Sequence, residues 1–387
     1  MQLFFRVEGN KKVGLGHLMR CFALAQVALD NQIAVNFICS AESAKFLHTR
    51  HAFLGSTLVI DEALPQEDEL HQIVELIVSR LDSDANAALV LDGYQYTVNY
   101  QSKLKSELGK KVTRTGSVPL VYFDDINCIT DFPNHVADMI VNGAESAKSL
   151  GYERNAANSK LCLGSGFMSL RSEFMSLPEL PVNRRHSLLI CFGGADTENH
   201  TLALLIALSE IECDIPVRVV SGVAYQHHND LQRMIGCQTL EVPGELDKRL
   251  ALSMPVQYIH DAQDMAELML HSRLAISAAG GSQFELLHCY TPSFLVVVAD
   301  NQAPATAIAQ QQGWASVLDW RDSATVDYKG LAKSLIAKYH DAKHLNAQQQ
   351  AAINTMKAMR EEHQRFGTEN ILDAIAAIVT NTHKEET

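Results

Sequence analysis

The chain has 387 residues, and its 45 acidic against 32 basic side chains leave a formal charge of −13. That balance disfavours nucleic acid or an anionic membrane surface as the main partner, because either calls for a basic patch. With 47% hydrophobic and 20% charged residues the chain is not disordered, and its length predicts two domains.

Short apolar runs alternate with helical patterns through most of the sequence. The first half predicts strands at LFFRVE (3–8), IAVNFIC (33–39), ALVLD (88–92), LVYFD (120–124) and DMIV (138–141). In HLMRCFALAQVALD (17–30), Leu18, Phe22, Ala25 and Leu29 share one helical face. SLPELPVNRRH (176–186) has two prolines and no periodicity, the pattern of an interdomain linker. The second half predicts strands at SLLICF (187–192), PVRVVS (216–221), VQYI (256–259), LAIS (274–277) and FLVVV (294–298). From about Tyr328 only helical patterns remain. The last helix is expected to begin at Gly367-Thr368, with Thr368 as N-cap and Ile371, Leu372, Ile375 and Ile378 as its apolar stripe. Alternating strand and helix means parallel sheets covered by helices. The expected organisation is an α/β domain at 1–175, a linker at 176–186, a second α/β domain at 187–327 and a helical segment at 328–387. Two Rossmann-type domains facing each other across a cleft would offer a place for a small molecule.

No apolar run approaches the ~20 residues of a membrane span. The N-terminus MQLFFRVEGNKK has its apolar residues before its charges and no cleavage site, which does not read as a secretory signal. None of the eight cysteines stands in a CxxC pair. Most lie inside apolar runs, the pattern of reduced thiols in a cytoplasmic protein rather than of zinc ligands. HExxH and the GxxxxGK[ST] phosphate loop are absent, which removes the metalloprotease and P-loop readings.

Three glycine-rich turns carry the candidate chemistry. In the turn after the first strand (9–17), Gly14 and Gly16 let the backbone approach a ligand, although the third glycine of a dinucleotide fingerprint is missing. His17 falls in the first turn of the following helix. There the helix dipole is expected to keep the ring neutral, able to accept a proton. The second turn is Gly193-Gly194 in LICFGGAD, and the third is Gly280-Gly281-Ser282 after Ser277. Amides at such a helix start suit a diphosphate without a metal. Glu285, one turn on, is placed to accept from a ribose diol, and Asp300-Asn301-Gln302 follows the next strand. Asp92 with Tyr94, and Asp124 with Asp125, end strands at the crevice where α/β proteins bind ligands. Capping the next loop is the commoner role for such aspartates.

Together these stretches resemble the PseG/SpsG family of UDP-sugar hydrolases. FRVEGNKKVGLGHLMRCFALA, LDGY (91–94), FDD (123–125), IVNGAESAKSLGYE (140–153), CLGSGFMSLRSEF (162–174), ICFGGAD (190–196), SAAGGSQFELL (277–287) and ADNQ (299–302) occur in the family's order. The resemblance implies a GT-B architecture whose last helix returns to the first domain. It also implies hydrolysis of UDP-2,4-diacetamido-2,4,6-trideoxy-β-L-altrose to free sugar and UDP, in pseudaminic-type acid biosynthesis, with no metal or other cofactor. By motif position His17 activates water and Tyr94 joins it in the active-site loop. Gly14, Gly16, Arg20, Asp92 and Asp125 fall on the sugar side. Gly193, Gly194, Ser277, Gly280, Gly281, Ser282, Glu285, Asn301 and Gln302 fall on the nucleotide side. Where the family commonly has Asp-His-Tyr-Gly, this chain has Asp92-Gly93-Tyr94-Gln95, which bears on the sugar accepted. A GT-B glycosyltransferase is the alternative, since its donor half would look the same.

Overall fold

The computed structural model describes residues 1–10, 13–51, 53–81, 86–112, 118–128, 135–211, 213–244, 248–342, 347–362 and 367–385. Its contacts divide the chain into two compact units, Met1–Met175 with His363–Thr387, and Ser176–Glu362.

In the first unit, seven strands form one parallel sheet: β1 (Gln2–Val7), β2 (Ala34–Cys39), β3 (Ser56–Val59), β4 (Ala87–Asp92), β5 (Leu120–Phe123), β6 (Met139–Asn142) and β7 (Lys160–Leu163). Their order is β3-β2-β1-β4-β5-β6-β7. Every residue of β1 and β4 is buried, as a sheet covered on both faces requires. Leu3, Phe5 and Val7 of β1 face a core shared with the helix Gly16–Asp30. Phe4 faces the other core, against the helices Gln66–Arg80 and Val98–Lys111.

The second unit repeats the winding. Its strands are β8 (Ser187–Cys191), β9 (Val217–Ser221), β10 (Thr239–Glu241), β11 (Arg249–Ala251), β12 (Val256–His260), β13 (Ser272–Ala278), β14 (Ser293–Val297) and β15 (Ala315–Asp319). Six of them form a parallel sheet in the order β12-β9-β8-β13-β14-β15, and β10 and β11 make a separate antiparallel pair. Both sheets reverse direction of growth beside their first strand, between β1 and β4 and between β8 and β13. In open α/β sheets ligands bind outside the carboxyl ends of the strands at this switch point.

The described part of the tail at 328–387 is helical, and its helices divide between the two units. Helices Tyr328–Ala342 and Ala347–Glu362 fall in the second unit, and Gly367–Glu385 falls in the first. Ile371 and Ile375 are fully buried there, beside Leu372 and Val379, and Ile378 packs against the same core. Thr368 is not the N-cap. It lies inside the helix, and its hydroxyl accepts from Leu170 N at 2.9 Å and donates to Leu170 O at 3.0 Å. The expected linker 176–186 falls within the second unit and carries a buried residue, Arg185. Ile375→Ala should destabilise the first unit by about 2–5 kcal/mol, the usual cost of emptying a packed aliphatic site. A lowered denaturant midpoint would show it.

Candidate functional site

The first-unit site begins where β1 ends. Asn10 closes the turn by accepting Gly14 N at 2.9 Å on its carbonyl and Val13 N at 3.0 Å on its side chain. Gly14 takes φ +78°, a left-handed conformation that favours glycine. Lys11 and Lys12 of this turn lie outside the described residues. The turn is anchored below by buried Glu8, which accepts from Ser43 Oγ at 2.7 Å, while Ser43 Oγ accepts Gly9 N at 2.9 Å. Arg6 in turn pairs with Glu8 and Glu69. The helix then starts at Gly16, so His17 sits in its first turn and Arg20 one turn later on the same face.

Strand order supplies the partner. β4 lies beside β1 with Asp92 opposite Val7, which brings a carboxylate next to that helix start. Asp92 is wholly buried and lies 2.6 Å from His17 Nδ1. It also accepts Arg20 Nε and Nη2, both at 2.7 Å. Arg20 continues to Asp125 and lies over the Phe123 ring at 5.3 Å. Asp125 accepts the Tyr94 hydroxyl at 2.7 Å, and the Tyr94 ring stands edge-on to His17 with centroids 5.0 Å apart. His17, Asp92, Arg20, Asp125 and Tyr94 thus form a closed ring of contacts.

Charge decides the proton positions. Burial alone would raise the Asp92 carboxyl, but Arg20 and His17 outweigh it and hold it at about 2. An ionised carboxylate only accepts, so the 2.6 Å contact requires a proton on Nδ1, leaving Nε2 as the basic nitrogen. Burial pushes the His17 imidazole down, yet Asp92 reverses this and the pKa ends above 6.5. The contact with a buried carboxylate thus acts in the direction opposite to the one expected from the helix dipole. Asp92, with its folded pKa depressed, contributes stability above about pH 4 that is lost as pH falls toward about 2.

The aspartates divide by role. Asp124 caps its loop, accepting the amides of Asp125 at 2.7 Å and Cys128 at 3.1 Å. Asp92 and Arg20 were expected on the sugar. In the structure they pair with each other and with His17, Asp92 wholly buried and the Arg20 side chain 23% exposed. Tyr94 is 45% exposed, and the Asp125 side chain, bonded to Arg20 and Tyr94, is 24% exposed.

In the second unit β8 and β13 are neighbours, with Cys191 opposite Ser277, so the turns Gly193-Gly194 and Gly280-Gly281-Ser282 come to the same sheet end. Gly193 has φ +80°. Gly222, after β9, approaches so closely that a Cβ on it would stand 2.5 Å from Gly194 Cα. Sequence reading missed Gly222, although a glycine directly after a strand was its signal. The helix Ser282–His288 starts at the third turn, with Glu285 on its first turn. Ser277 is buried in β13, and its hydroxyl donates to Ala278 O at 3.1 Å. Asp300–Gln302 follows β14, where Gln302 Oε1 accepts Val298 N at 2.9 Å and Asn301 lies between Asp300 and Gln302. Among the described residues no group of His, Cys, Asp and Glu is arranged to hold a metal ion, and no helix is long and apolar enough to cross a membrane.

No protein-family model matches the chain. A Campylobacter jejuni protein named UDP-2,4-diacetamido-2,4,6-trideoxy-beta-L-altropyranose hydrolase is 21% identical, over 80% of this chain and 97% of its own length. The Bacillus subtilis spore coat polysaccharide biosynthesis protein SpsG is 22% identical, over 79% of this chain and 80% of its own. The sequence is thus similar to PseG-type and SpsG-type proteins along most of its length. An uncharacterized protein of Methanocaldococcus jannaschii is 27% identical over 78% of this chain, and the match spans 56% of that protein's length. Among solved structures, Acinetobacter baumannii MurG (13% identity, TM-score 0.56) matches 97% of this chain and 99% of its own. Anabaena HepE in complex with UDP (14%, 0.56) matches 98% and 100%. The fold is that of the GT-B glycosyltransferases. Against the PseG/SpsG pattern, the departures at 93 and 95 belong together. Gly93 takes φ +149°, and the Gln95 carboxamide fills the place of a Cβ at 93, 2.5 Å from it.

Proposed function

We propose that this protein is an enzyme of surface-polysaccharide biosynthesis that hydrolyses a UDP-linked 2,4-diacetamido-2,4,6-trideoxyhexose to UDP and the free sugar. The observation that carries the reading is the His17–Asp92 pair, a base with its tautomer fixed at the switch point of the first sheet. The names of the Campylobacter and Bacillus relatives support it, and HepE in its UDP complex has the same fold.

In this reading His17 Nε2 takes a proton from water as the water oxygen bonds to the anomeric carbon. The bond from that carbon to the β-phosphate oxygen breaks, and the configuration inverts. Asp92 stabilises the imidazolium that forms, as the carboxylate does in other histidine-base sites. Tyr94 and Asp125 face the sugar. The nucleotide belongs to the second unit, where the amides of Gly281 and Ser282 receive the charge developing on the diphosphate. Gly14, Gly16, Gly193, Gly194 and Gly280 allow close backbone approach, Asn301 and Gln302 border the nucleotide, and Glu285 accepts from the ribose.

His17→Asn should lower turnover by about 10²-fold or more, the usual contribution of a general base. Near wild-type turnover in that variant would remove His17 from the mechanism. The Asp124 oxygens are engaged by loop amides, and those of Asp125 by Arg20 and Tyr94. Activity should therefore survive EDTA. Recovery that depends strictly on Mg²⁺ or Mn²⁺ would contradict this.

A further inference from the structure

The second unit holds a cavity of about 180 Å³ at the far end of the helix Ser282–His288 from its glycine turn, lined among others by Arg185, Val182, Leu270, Tyr290 and Ile353. Arg185 is 1% exposed. Its Nε donates to Leu180 O at 3.0 Å, Nη1 to Thr291 Oγ1 at 2.8 Å, and Nη2 to Cys289 O at 2.9 Å. All three acceptors are neutral. Among the described residues no carboxylate pairs with this guanidinium, and burial pushes its pKa down to about 10.

A guanidinium has five N–H donors, so one remains on each terminal nitrogen. Buried cations are ordinarily paired, because an uncompensated charge in a low-dielectric interior is costly. Two parallel N–H groups match a carboxylate. The other cation of the cavity, Lys357, already pairs with Glu179 at 3.2 Å and lies over the Tyr290 ring at 5.6 Å. Glu179 also places a negative charge on the cavity lining, which disfavours a dianion. Val182, Leu270 and Ile353 are buried apolar walls.

We propose that the Arg185 cavity is a binding site for a small organic monocarboxylate with an apolar body. Benzoate is a suitable probe, since a cavity of ~150 Å³ accommodates a benzene ring. Isothermal titration of the full chain should show one benzoate per chain, bound at least tenfold more tightly than the isosteric neutral benzamide or than inorganic phosphate. Arg185 also ties backbone together, so the informative variant is Ile353→Trp. It keeps the guanidinium and fills the space, and circular dichroism checks its fold. Benzoate binding should be lost in folded Ile353→Trp. Equal affinity for benzamide, equal affinity for phosphate, no benzoate binding, or binding unchanged in Ile353→Trp would each overturn the assignment.

Discussion

Asp92→Asn is expected to lower turnover by about 10²–10⁴-fold while leaving UDP affinity unchanged. An amide no longer requires Nδ1 to carry the proton, and it no longer stabilises the imidazolium formed when Nε2 takes a proton. The pH profile gives an independent reading. A general base acts when neutral, and Asp92 favours the protonated ring, so the acid limb of kcat/KM in the unmodified enzyme should lie above pH 6.5. Without the carboxylate, burial and the neighbouring Arg20 both push the imidazole down, and the limb should move to lower pH. The amide keeps one oxygen, so Arg20 would lose the acceptor of one of the two N–H groups it donates to Asp92. A stability loss of about 1.5–3 kcal/mol, the worth of one hydrogen bond to a charged group, should accompany the kinetic effect. A profile unchanged in Asp92→Asn would detach the carboxylate from the base.

Glu285→Ala should weaken UDP by about 10- to 100-fold. A carboxylate accepting from a ribose hydroxyl makes a charge-assisted bond of ~1.5–3 kcal/mol, and 1.4 kcal/mol is tenfold. His17→Asn and Tyr94→Phe change groups of the first unit and should spare UDP affinity. Calorimetric titration of UDP against the three variants compares them directly. If either first-unit variant lost as much UDP affinity as Glu285→Ala, the nucleotide would not belong to the second unit alone.

The central strands were legible because they are buried on both faces: β4 reads as the apolar run AALVL, and in β1 Arg6 alone interrupts the apolar residues from Leu3 to Val7. Of the four edge strands of the two parallel sheets, β3, β7 and β15 offer apolar runs of only two or three residues, whereas β12 was legible as VQYI. The β10–β11 pair is too short to register. At the site, His17, Asp92 and Asp125 were each visible at the end of a strand or the start of a helix. Their mutual contacts were not, because His17 and Asp92 are 75 residues apart and meet through strand order. The sign of the His17 shift followed from that unseen contact. Thr368 shows the same limit in the tail, since its hydroxyl serves Leu170, a residue 198 positions away. The pairing of Gly93 with Gln95 is local, yet it depends on a positive φ that the sequence does not display.

The most direct test of the account is to incubate the purified protein with UDP-2,4-diacetamido-2,4,6-trideoxyhexoses in ¹⁸O-water, without any acceptor, and to follow UDP and free sugar by mass spectrometry. The account predicts equal amounts of UDP and sugar, with the label at the anomeric oxygen of the sugar and none in UDP. Turnover that begins only when a second sugar or other acceptor is added would contradict it in favour of a transferase, and label in the phosphate would contradict attack at carbon.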